Sequence, residues 1–119
     1  MIINIPISIG ELLDKITILE IKCNYTDNKY VIKELEELNK IKSTITQYTL
    51  EYEVSLKKVN EKLWNIEEKL RKLEKEQRFD SEFIELARSV YITNDERARI
   101  KKEINDKYNS TYQEVKCYV

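Results

Sequence analysis

Residues 31–73 read VIKELEELNKIKSTITQYTLEYEVSLKKVNEKLWNIEEKLRKL. Whether this stretch is one helix or two decides the fold. Val31, Leu35, Leu38, Lys42, Ile45, Thr49, Tyr52, Leu56, Val59, Leu63, Ile66, Leu70 and Leu73 follow one another in alternating steps of four and three. That spacing places them on a single helical stripe. Its two polar members, Lys42 and Thr49, bracket KSTITQYT, which is rich in Ser, Thr and β-branched residues and is the weakest helix former of the repeat. A single helix over the whole stretch would reach about 65 Å and would expose half its seam unless it dimerised. Folding back at about 43–49 buries the seam within one chain. The hairpin is the favoured reading. A straight helix stays open, because no Gly or Pro marks the turn.

Before the repeat, IINIPI at 2–7 reads as a short extended segment. Ser8 with Glu11 forms a capping box, and Ile7 with Leu12 a hydrophobic staple, so a first helix is predicted from about Ile9 to Asn24. NYTDNK is a turn in which Asp27 can cap the next helix. After the repeat, Asp80 is a helix cap, with Phe79 and Ile84 as its staple. This helix is predicted to end at Tyr91–Ile92. Thr93 with Glu96 then opens a last helix, to about Tyr108. The tail, STYQEVKCYV, has strand character and is expected to pair with residues 2–7.

Composition agrees with this reading. The 119 residues are 41% hydrophobic and 36% charged, with one Gly and one Pro, a balance typical of long helices. The length fits one domain, 1–119, with a modest core. The net charge of −1 gives no basic excess, so nucleic acid is disfavoured as a partner. Cys23 and Cys117 form no CxxC pair and read as reduced thiols of a cytoplasmic protein, with a single bridge between them as the alternative. MIINIPISIG has no basic n-region, and no apolar run approaches membrane-spanning length. The absence of histidine removes the commonest neutral-pH base and the commonest transition-metal ligand.

Several polar residues point where core is expected. On the first helix, Glu20 falls within the arc of Ile9, Leu12, Leu13, Ile16, Leu19 and Cys23, while Glu11, Asp14, Lys15 and Lys22 fall opposite. A carboxylate aimed at core needs a cation. On the last helix, Arg97 and Lys101 lie within the stripe of Ile100, Ile104 and Tyr108. Arg97 is therefore expected to meet Glu20, with Glu67 as the other partner for Arg97 or Arg88. Asn60, Trp64, Glu67 and Arg71 form a second stripe beside the heptad seam, and the Trp64 indole N–H needs an acceptor. The bland reading is a hydrogen-bonded network that holds the helices in register. The functional reading is a small anion pocket of Arg88, Arg97 and Lys101, with Asn94, Glu20, Glu67 and Trp64 around it, near the free N–H groups of a helix capped by Thr93. Glu82 with Glu85 and Glu103 with Asp106 have the spacing of a two-helix Mg²⁺ site. Such pairs arise readily among 22 acids on polar helix faces, so no metal and no cofactor are expected.

The stretches ISIGELLDKITILEIK, VNEKLWNIEEKLRKLE, FIELARSVYITNDERARIKKEIN and EVKCY resemble a small bacterial and phage protein family of unknown function. The resemblance covers nearly the whole chain. It implies that Gly10, Glu11, Asp14, Lys15, Glu20, Lys22, Asn60, Trp64, Glu67, Arg88, Tyr91, Asn94, Asp95, Arg97, Lys101 and Asn105 match the family's motif. Family members often carry turn residues near the middle of the heptad region, which favours the hairpin, and the family implies no activity.

The expectation is an all-α protein. It is an antiparallel helical bundle or hairpin with long heptad helices and a minimal two-stranded pairing of the termini. Its expected role is a protein–protein interaction or adaptor module that forms a homo-oligomer, a dimer, and binds a further protein partner. The alternative is a small enzyme or binding module for an anionic metabolite, using the Arg/Lys/Glu pocket. No reaction is assigned.

Overall fold

The computed structural model describes residues 1–47 and 49–118. Among them are four helices: α1 Ile9–Lys22, α2 Lys29–Lys42, α3 Leu50–Lys75 and α4 Ser81–Lys107. The helix does break within 43–49, as the Ser/Thr-rich stretch predicts, although Tyr48 in that break lies outside the described residues. Lys42 Nζ reaches Glu53 at 2.7 Å, and Thr49 Oγ1 donates to the same carboxylate at 2.8 Å, so the end of α2 is tied to the start of α3. Beyond this link the two helices do not pack on each other among the described residues, so the expected hairpin, with the seam buried on itself, does not form. α2 lies on α1, and α3 pairs with α4.

The α3–α4 pairing follows from a second stripe with steps of three and four. Phe83, Leu86, Val90, Thr93, Arg97, Ile100 and Ile104 run down α4 without a break in phase. They meet the α3 half of the heptad seam, where Leu56, Val59, Ile66 and Leu73 are buried. The unbroken phase is why α4 is one helix of 27 residues and not two. Thr93 was expected as an N-cap. It is instead a buried mid-helix residue whose hydroxyl has no hydrogen-bond partner among the described residues. No Gly or Pro opposes continuation there, and burial of the stripe outweighs the local capping signal.

α1 is the central helix. Leu13 joins Leu56, Val59, Ile100 and Ile104 in the core, with Ile9, Tyr52, Leu63 and Tyr108 packed around them. Ser8 caps α1 by accepting from the Glu11 N–H at 3.1 Å. The helix ends at Lys22, slightly short of the expected Asn24. Asn28, not Asp27, caps α2, accepting from the Tyr30 N–H at 2.9 Å. Asp80 caps α4 as expected. Phe79, however, meets Phe83 edge-on at 5.3 Å, and Ile84 is exposed. α3 and α4 each end in a turn with a left-handed residue, Gln77 and Asn109. In each, an amide beyond the helix bonds back to a carbonyl within it, Arg78 to Leu73 and Ser110 to Asn105.

There is no strand among the described residues, so the expected pairing of residues 2–7 with the tail does not form. The two segments do leave the bundle side by side, since the Ile9 N–H donates to Ser110 Oγ at 3.1 Å. The tail then turns back along α4, where side-chain pairs hold it. Val119 lies outside the described residues.

Candidate functional site

The polar seam is built where α1, α3 and α4 come closest. Gly10 allows this approach. A Cβ there would sit 2.8 Å from the Lys101 carbonyl oxygen and 2.9 Å from Asn105 Oδ1. The Gly10 N–H donates to that same Oδ1 at 2.7 Å. One turn on, Asp14 is 1% exposed and accepts from three donors. Arg97 grips both of its oxygens, through Nε at 2.8 Å and through Nη2, and Asn60 Nδ2 donates to Oδ1 at 2.9 Å. Asn60 also donates to Thr17 Oγ1 at 2.9 Å. Lys101, buried beside this group, reaches Glu11 at 2.8 Å, Glu114 of the tail at 3.3 Å and Asp14 at 4.0 Å.

The partner of Arg97 is thus Asp14, not Glu20 or Glu67. Glu20 is partly exposed and sits 4.0 Å from Lys57, and Glu67 lies 3.9 Å from Arg71 one turn along its own helix. A wheel with a single buried arc puts Asp14 on the solvent side. α1, however, is buried on more than one face, because α2 covers one side and α3 and α4 another. Gly10, Asp14, Thr17 and Ile21, spaced four, three and four, form its second buried stripe. A signal for that second face stands in the sequence. The run Ile16, Thr17, Ile18 and Leu19 carries no charge, which marks a helix turn that is apolar nearly all round.

Two clefts flank the seam, and Arg97 lines both. The larger, about 760 Å³, lies between α4, Glu11 of α1 and the tail. Its walls include Tyr91, Asn94, Arg97 and Lys101, with Glu114 to Tyr118 across from them. The smaller, about 490 Å³, is lined by Ile18, Ile21, Asn60, Leu63, Trp64, Glu67, Glu68, Arg71 and Arg97. The expected site residues therefore divide. Arg97, Lys101 and Asn94 line one cleft, Arg97, Glu67 and Trp64 line the other, and neither is lined by Glu20 or Arg88. Arg88 is exposed beside Glu85 at 3.8 Å. The Trp64 indole finds its acceptor in Glu68 at 3.0 Å and stacks on Tyr25 at 4.7 Å. Glu11, Asp14 and Glu114, together with the tail itself, are site residues that the sequence reading did not single out for this place.

The electrostatics favour closed pairs. The hydrogen bond to Asp14 raises the Arg97 pKa above its ordinary value, against the opposing effect of burial. For Lys101, burial pulls the ammonium down. The hydrogen bond with Glu11 and the charges of Asp14, Glu11 and Glu114 outweigh it, and the net direction is up. Both cations stay charged at neutral pH and already face carboxylates. The free helix N-terminus expected at Thr93 does not exist, because those amides lie within α4. Among the described residues no group of acids or cysteines is arranged to hold a metal ion.

The fold and seam define a small protein, four-helical among the described residues, with a largely buried Asp–Arg–Asn–Lys network and a cleft walled by the tail. The chain belongs to a family of unknown function, DUF6165, whose family model matches residues 3–119. No curated protein and no solved structure matches it. No helix among the described residues is long and apolar enough to cross a membrane.

Proposed function

We propose that this chain is a protein-interaction module that holds an extended stretch of polypeptide in the larger cleft. One observation carries the reading: chain without helix or strand, residues 114–118, already forms one wall of that cleft. A surface already lined by non-helical chain, with apolar Val90 and Ala98 beside polar Asn94 and Lys101, suits a peptide. Self-association, as a dimer, belongs to the same proposal. Ile2, Ile3 and Ile5, and Ile84 and Ile92 on α4, are exposed apolar side chains that a second copy can cover.

The small-anion reading has one observation in its favour, that Arg97, Lys101 and Asn94 share a cleft. Against it, Asp14, Glu11 and Glu114 already neutralise the two cations. A thermal-shift screen separates the readings. Extended peptides are expected to raise the melting temperature, whereas anionic metabolites and Mg²⁺ are expected to leave it unchanged. The opposite pattern would overturn the interaction reading.

A further inference from the structure

The tail meets α4 through side chains. Gln113 donates to Asp106 at 3.1 Å, Glu114 pairs with Lys101 at 3.3 Å, and Lys116 pairs with Asp95 at 3.1 Å. As the tail advances, its partners step back along α4, so the two run antiparallel. Glu114 and Lys116 are two residues apart, and both pair with α4. No backbone hydrogen bond among the described residues holds 111–118. Val115 and Tyr118 are largely exposed, so the segment lies over the cleft without filling it. Besides the Gln113 contact, what holds it is an acidic residue on a buried lysine and a basic residue on an exposed aspartate.

We propose that the α4 face of the cleft selects a segment bearing an acidic residue and, two positions on, a basic one, and that the tail, the opposite wall in this structure, is the resident segment on that face, which a partner's segment displaces. This rests on the interaction-module reading and adds the chemistry of the partner. The charge pattern carries it. Lys101 offers an ammonium at the cleft wall, Asp95 offers a carboxylate six residues away on the same helix, and the segment now seated there carries the complementary order.

The test uses the full chain and a fluorescent peptide with the sequence of residues 110–118. The wild-type chain is expected to bind it weakly, because its own tail competes at high effective concentration. A chain carrying Glu114→Gln and Lys116→Gln has lost both ion pairs of its tail and keeps only the neutral Gln113 contact, and it is expected to bind the peptide at least about tenfold more tightly. An Asp95→Lys chain is expected to prefer a peptide carrying Lys116→Glu over the original. These positions are partly or largely exposed, and circular dichroism checks that the variants fold. Equal affinity of the wild-type and double-variant chains, or indifference to the charge exchange, overturns the proposal. If other extended peptides still raise the melting temperature, only the acidic-then-basic rule and the role of the tail fail. If none does, the interaction reading fails with them.

Discussion

Arg97 places two of its N–H groups on one carboxylate that solvent barely reaches. Truncating it leaves Asp14 buried with Asn60 and a more distant Lys101. Removing one partner of a buried pair costs about 3–5 kcal/mol. Arg99, two residues on, is exposed and pairs with Glu103 on its own helix. Its loss should stay within about 0.5 kcal/mol. Arg97→Ala and Arg99→Ala are therefore expected to differ clearly in denaturant midpoint, and equal midpoints would remove Arg97 from the structural network. Lys101 makes a pH-dependent contribution. Its folded pKa lies above the ordinary 10.5, so its stabilisation is fully present below the unfolded value and is lost as pH rises through the folded one. The destabilisation caused by Lys101→Met, measured by chemical denaturation, is expected to be largest near neutral pH and to shrink above pH 10.5. A gap that stays constant into that range would mean that the ammonium is not the stabilising feature. That Arg97 and Lys101 face inward was legible in their helical spacing. Their partner Asp14 was not, because the number of helices covering α1 is a tertiary fact.

At the scale of elements, α4 sets local signal against phase. Thr93 and Glu96 have the spacing of a capping box, yet the stripe from Phe83 to Ile104 passes through them unbroken. The chain forms one helix and leaves the Thr93 hydroxyl buried without a partner among the described residues. An unsatisfied buried hydroxyl costs about 1–3 kcal/mol. Val has nearly the same shape and suits a buried stripe, so Thr93→Val is expected to raise stability by about 1 kcal/mol. A loss of stability would show that the hydroxyl does have a partner. Gly10 gives the matching prediction at the α1–α4 contact. Gly10→Ala drives a methyl against the Lys101 carbonyl, and overpacking of this kind typically costs about 1–3 kcal/mol. A melting temperature equal to that of the wild-type chain would mean that the two helices separate without cost. The caps at Ser8 and Asp80 were readable because they depend on a few neighbouring residues. The fate of Thr93 depended on α3.

Across the whole molecule, the heptad seam is divided between two uses. Its second half, on α3, packs into the core with α4, whereas its first half, on α2, packs on α1 and has no fully buried residue. The sequence showed one stripe and a weak point within it. It could not show that the two halves would choose different partners, because Val31, Leu35 and Leu38 carry the same spacing as Val59, Leu63 and Ile66. The division has a dynamic consequence. Regions with few buried apolar contacts open at lower free energy than the core. α2 can lift from α1 while Leu13, Leu56, Ile100 and Ile104 remain packed together. Amide hydrogen exchange is therefore expected to be fastest in 29–42 among the four helices, with the strongest protection in α3 and α4 around Leu56 and Ile104. Protection of α2 equal to that of α3 would mean that something covers its outer face in solution, which is the outcome a dimer through α2 would produce. Sedimentation at the same concentration would then distinguish a second copy from a tighter monomer.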